Sequence, residues 1–182
     1  MNENNPFSMG RIDSDLMYKK VNNWKWGNSG DQNMYHDVET RKNSISYRGN
    51  MARLIEVLID EGKFDKAEKI ADLALEKMPI NIFGYYTFLE PFVGAYYEIG
   101  QKEKGRSMFK KISLKYQENL TYYSKISELN KSKYAQTIYS DIERYKSLVD
   151  TISYYESEEF IKIEMEKFNG FLRLFTGEEL NN

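Results

Sequence analysis

The chain has 182 residues, 41% of them hydrophobic and 30% charged, which is enough to bury one substantial core without staples. Its formal charge is -2, with 26 basic and 28 acidic side chains interleaved along the whole length, so no basic field concentrates a polyanion and nucleic acid is not an expected partner. Cysteine is absent, which excludes disulfides, thiolate chemistry and cysteine metal sites but leaves the compartment open.

Residues 1–10 are polar and have neither an apolar segment nor a basic start, so no signal peptide is expected. Residues 1–44 read as an irregular arm packed on the body, rich in asparagine, glycine and aspartate, with one short helix over 15–21. The arm carries two large anchors, Trp24 and Trp26. In an extended stretch, residues two apart point to opposite sides, so at least one is expected to dock on the helical body.

From Ser44 onward, Met51, Leu54, Ile55 and Leu58 recur at spacings of three and four, which predicts a helix ending at Gly62. The chain restarts at Phe64 and Asp65. Ala67, Ile70, Ala71, Ala74, Leu75 and Met78 form the stripe of a second helix, stopped by Pro79, and its small residues allow a close antiparallel pair. The turn Glu61-Gly62-Lys63-Phe64-Asp65-Lys66-Ala67 echoes 38 residues later as Ile99-Gly100-Gln101-Lys102-Glu103-Lys104-Gly105, the sign of a repeated hairpin. The second hairpin puts Leu89, Phe92, Val93 and Tyr96 before the turn and Met108, Phe109, Ile112 and Tyr116 after it. Pro91 falls inside its first helix, which is expected to reach back towards Phe83 and bend at the proline. A separate short helix is expected over 119–129, a break at 130–132, and a long helix over 134–155. The last helix should start after Ser157, carry Phe160, Ile163, Phe168, Phe171, Leu172 and Phe175, have a joint at Gly170 and end at Gly177.

With Pro79 as the terminal proline, Leu54, Leu58, Gly62, Ala67 and Ala74 fall in register with the tetratricopeptide repeat, a helix-turn-helix unit of about 34 residues that the first hairpin resembles. The second keeps Leu89, Phe92, Tyr96, Gly100 and Phe109 but has Val93, Gly105 and Gln117 at positions where the repeat prefers glycine, alanine and proline. The fold is therefore expected to be all-α. It comprises tetratricopeptide-like hairpins of the right-handed α-α superhelix type over 45–79 and 83–117, an irregular N-terminal arm over 1–44, and additional helices over 119–176 of a helical domain running from 45 to 182.

A second resemblance covers most of the chain. Trp26-Gly27-Asn28 with Tyr35 and Asp37, Tyr47-Arg48, Ala52-Arg53-Leu54, Ala95-Tyr96-Tyr97 with Gly100, and Glu103-Lys104-Gly105 resemble the soluble C-terminal region of large multi-span membrane proteins of Bacteroidetes. The N-terminal domain of those proteins is similar to protein O-mannosyltransferases. The resemblance implies a periplasmic or extracytoplasmic location as part of a larger protein, a cytoplasmic one applying if the chain stands alone. It brings no catalytic residues, because the family's presumed glycosyltransferase chemistry lies in the membrane portion.

The stretch 83–97 is interrupted by Thr87, Glu90 and Pro91, so direct membrane insertion is not expected. His36, the single histidine, has Asp31, Asp37 and Glu39 nearby, but this set lacks the pattern of a calcium loop and the ligands of a zinc site, so a structural or surface role is expected. No catalytic residue, cofactor site or metal site is assigned. A partner or glycan surface is expected where the arm meets the first hairpin, using Trp24, Trp26, Tyr35, Tyr47, Arg48 and Arg53, since arginine beside aromatics grips a carboxylate or stacks on a ring. The same two arginines would alternatively lock the arm to the body. The functional expectation is a non-catalytic helical interaction or accessory domain whose partner is a protein or its own membrane domain. A carbohydrate-recognition module assisting a membrane glycosyltransferase is the alternative, and a free-standing enzyme ranks behind both.

Overall fold

The computed structural model describes residues 10–176. Among them the secondary structure is entirely helical, and the chain divides into two compact units, one up to Gly84 and one from Tyr85.

The first unit opens with α1 (Ser14–Asn22), whose N-cap Asp13 accepts a hydrogen bond from the Leu16 amide at 2.9 Å. A ring of polar contacts fixes α1 on the turn of the hairpin that follows. Lys63 lies 3.0 Å from Asp15 and 2.8 Å from Glu61, Lys66 lies 2.7 Å from Asp15, and Ser14 Oγ donates to Glu61 at 2.5 Å. Below this ring, Val21 is fully buried.

Helix α2 (Val38–Asp60) starts earlier than the apolar spacing from Ser44 onward suggested. Asp37 supplies the reason: its carboxylate accepts the Thr40 amide at 2.8 Å, and Glu39 sits in the positive first turn. Gly62 takes a left-handed φ of 71°, with Lys63 N donating to Leu58 O and Gly62 N to Ile59 O, both at 2.8 Å, so the last carbonyls of α2 are satisfied as the chain reverses. Helix α3 (Phe64–Lys77) then folds back on α2. Ala67, Ala71 and Ala74 are all 0% exposed, so the close approach expected of these small residues is what packs them against α2. Pro79 ends the run as expected, and a single turn, α4 (Ile80–Phe83), closes the unit at Gly84.

The second unit starts with Tyr85 in the left-handed region at φ 47°, a 3-10 turn over Tyr86–Leu89, and then α5 (Glu90–Glu98). No helix reaches back from Pro91 to Phe83. The consecutive positive φ values at Gly84 and Tyr85 break it, and Pro91 sits in the first turn of α5, where a missing amide hydrogen costs nothing. After Gly100, at φ 82°, α6 (Lys102–Lys125) packs on α5. A Cβ at Gly105 would lie 2.8 Å from the Tyr97 ring, so the glycine that replaces the alanine of the first hairpin makes room for that tyrosine.

The separate helix expected over 119–129 is instead the end of α6, because Leu120, fully buried, continues the stripe of Phe109, Ile112 and Tyr116 by one more turn. The break comes at 126–127, before α7 (Glu128–Lys133) and α8 (Ala135–Ser153). Helix α9 (Glu158–Thr176) begins where Ser157 Oγ accepts the Phe160 amide at 3.3 Å. It passes through Gly170 without a joint, and the expected stop at Gly177 lies outside the described residues. Phe92, Val93, Phe109, Ile112, Tyr145, Val149 and Ile152, all buried, form the core that α5, α6, α8 and α9 share.

Candidate functional site

Between α1 and α2 the chain makes a series of turns, closed by Ser29 N on Trp26 O at 3.2 Å, Asp31 N on Asn28 O at 2.9 Å and Met34 N on Asp31 O at 3.1 Å. The expectation of an extended stretch with tryptophans on opposite sides is therefore replaced by one in which both rings come together. Their centroids lie 5.5 Å apart, and Tyr47 of α2 meets Trp24 at 5.1 Å and Trp26 at 5.6 Å, the rings tilted or edge-to-face.

The loop is held at two further points. His36 Nε2 donates to Ser29 O at 3.0 Å while its ring packs on Phe83 at 4.7 Å, and the histidine also lines the cavity that the loop borders. Gly30 lies on the end of α3, where a Cβ would stand 2.2 Å from the Glu76 carbonyl oxygen. That oxygen is backbone and cannot swing away. Gly30→Ala is expected to lift the loop off α3, cost about 2 kcal/mol in chemical unfolding and shift tryptophan emission to the red. An unchanged emission maximum would mean that the loop accommodates the methyl.

The loop, α2 and the α3–α4 corner border an open cavity of about 460 Å³. Trp24, Trp26, Tyr47, Met34 and Phe83 supply its apolar walls, and the amides of Asn28 and Asn43 with the hydroxyls of Ser29 and Thr40 supply polar groups. Two polar atoms of the lining, Trp26 Nε1 and Ser29 Oγ, are buried without a partner in the protein. No carboxylate lines the cavity, and Lys25 is its one lysine or arginine. The volume falls in the range of small-ligand sites, apolar walls with a few polar groups being their usual make-up.

Of the six residues expected to form a surface, Trp24, Trp26 and Tyr47 thus come together. Tyr35 stands apart from that lining, 85% exposed. Arg48 is 0% exposed and donates to Met78 O and Gly84 O, each at 2.6 Å, while Arg53 donates to Gly10 O at 3.1 Å. Both arginines bond backbone carbonyls: Arg53 reaches the arm at Gly10, whereas the partners of Arg48, Met78 and Gly84, lie outside the arm, so Arg48 ties α2 to the α3–α4 corner instead of locking the arm to the body.

The second unit holds two polar networks that the sequence did not reveal. In one, Glu156, its side chain 0% exposed, accepts from Tyr97 Oη at 2.7 Å and from Arg106 Nε and Nη2 at 2.8 and 2.6 Å, with Lys102 at 3.2 Å. The Arg106 hydrogen bonds, joined by those from Tyr97 and Lys102, bring its pKa down to about 2. In the other, Glu90 accepts from Tyr116 Oη and from Arg144 at 3.2 Å, and Asn119 joins Tyr86 at 2.7 Å to Asp141 at 3.1 Å. Burial raises the pKa of both Glu90 and Asp141. Each of these two carboxylates is hydrogen-bonded within the packed helices. Among the described residues no group of three or more histidine, cysteine or acidic side chains is placed to hold a metal ion, and no helix is long and apolar enough to cross a membrane.

Neither family models, nor curated proteins, nor solved structures yield a match to this chain.

Proposed function

We propose that this chain is a non-catalytic binding domain of tetratricopeptide-like hairpins, serving as an extracytoplasmic accessory part of a larger membrane protein similar to the O-mannosyltransferase-like proteins of Bacteroidetes. The observation that carries the binding role is the aromatic cavity of the first unit, with two buried polar atoms of its lining lacking protein partners. Such atoms cost free energy in the unliganded fold, and a ligand that reached them after a small side-chain rotation would recover it. The two hairpins, each reversing at a left-handed glycine, support the repeat-like reading.

A saccharide ligand is the second reading, favoured by tryptophans beside the amides of Asn28 and Asn43. Catalysis has less support, because the acidic side chains with raised pKa, Glu90 and Asp141, are engaged in hydrogen bonds inside the second unit.

The test is capture from a cell-envelope extract by immobilised domain, beside a Trp24→Ala, Trp26→Ala variant shown by circular dichroism to keep its helices. Recovery of a multi-span membrane protein or an envelope glycan by the parent domain alone is expected. Equal recovery by both would remove the cavity from the function.

A further inference from the structure

The geometry points to a specific ligand chemistry for the cavity: an apolar ring or branched chain that carries a carboxylate, either a small organic acid or the free C-terminus of a peptide ending in an apolar residue. This rests on the reading of the cavity as a binding site.

Four features select it. Trp26 Nε1, a donor only, and Ser29 Oγ belong to residues of the lining and are buried without a partner in the protein, so a small rotation of either side chain would present a hydrogen to a ligand acceptor. The lining has no carboxylate to repel an anion and has Lys25 to attract one. Arg41, next to Thr40 on α2, adds a second positive charge to that stretch of helix, although it does not itself line the cavity. The nearest acid on α2, Asp37, does not line the cavity, and its two oxygens accept from the Thr40 amide and hydroxyl.

The three rings also do not form a cage for the opposite charge. An aromatic cage for an ammonium group holds its faces around a central cation, each centroid within about 6 Å of it. Here the centroids of Trp24, Trp26 and Tyr47 are only 5.1 to 5.6 Å from one another, so the rings pack in mutual contact and leave no gap between them for a cation. They form a wall for the apolar part of a ligand, with Phe83 and Met34 as further walls.

The chain provides its own reporter. It contains two tryptophans, and both line the cavity, so emission excited at a wavelength where its 15 tyrosines do not absorb reads this site alone. Cyclohexylacetate, which does not absorb where indole does, should shift the emission saturably. Its primary amide should bind about tenfold more weakly, and 2-cyclohexylethylamine should give no saturable change. Trp26→Phe keeps a ring but removes the N–H, and read through Trp24 it should weaken the acid about tenfold and leave the amide less affected. A tripeptide ending in leucine, as free acid and as C-terminal amide, separates the two sources. Tighter binding of the free-acid peptide than of cyclohexylacetate assigns a chain terminus, and the reverse assigns a small acid.

Equal binding of acid, amide and amine, or saturation by methyl mannoside and not by the acid, would overturn the carboxylate while leaving the cavity a binding site. If no probe moves the emission up to about 10 mM, the inference and the reading beneath it both fall.

Discussion

Arg48→Met is expected to destabilise the first unit by about 4 kcal/mol, the largest loss foreseen for any single change in this chain. Arg48 is 0% exposed, and burial lowers the pKa of its guanidinium to about 10, so it remains charged at neutral pH. The cost of burying that charge is offset by its bonds to Met78 O and Gly84 O at 2.6 Å. Methionine fills part of the volume but leaves both carbonyls without the guanidinium donors, at about 1–3 kcal/mol each. Denaturant unfolding followed by tryptophan emission measures the loss directly. Arg48→Lys supplies a single charged centre on a flexible stem instead of a planar fork, and should recover less than half of it. A loss under about 1 kcal/mol for the methionine variant would mean that the carbonyls find other donors.

Glu156→Gln should cost about 2–3 kcal/mol near neutral pH, and its signature lies in the pH dependence. The native pKa is lowered from 4.5 to about 2. A carboxylate with a depressed pKa contributes stability that is complete above its unfolded pKa and is lost as pH falls through the folded one. The difference between parent and variant should therefore be constant above about pH 5 and shrink towards zero as pH falls to about 2. Glu90 and Asp141, raised by burial, act with the opposite sign, but they are present in both proteins and cancel in the difference. Unfolding curves at several pH values decide the matter, and a difference independent of pH would show that the network acts by shape rather than by charge.

The helical class and the two reversals were legible in the sequence because the determinants are local. Gly62 and Gly100 are needed for left-handed turns, and the alanine row of α3 marks a close helix contact. The length of α6 was legible too: Phe109, Ile112, Tyr116 and Leu120 keep an unbroken helical spacing, which carries the helix into the stretch expected to be a separate one. Trp24, Trp26 and Tyr47 could be chosen as site residues from type alone, whereas their mutual contact depends on turns that bring them onto one side.

The burial of Arg48 has a signal in the sequence. Ser44, Arg48, Met51, Ile55 and Leu58 stand at spacings of four, three, four and three, all buried, so position 48 lies on the inward seam and Tyr47 does not. A charge on that seam has to find partners inside. Which partners it finds was not readable, since Met78 and Gly84 are 30 and 36 residues away and contribute carbonyls that every residue possesses. Glu156 was hidden for the same reason, its partners lying 50 and 59 residues back.

The polar ring around Asp15, Glu61, Lys63 and Lys66 fixes α1, and α1 leads directly into the loop that carries Trp24 and Trp26. Asp15 is 65% exposed, and ion pairs at the surface contribute little and are weakened by salt. Val21 holds the end of α1 nearest the loop by burial, which salt does not weaken. Raised ionic strength is therefore expected to loosen the start of α1, around Ser14 and Asp15, before the end beside the tryptophans.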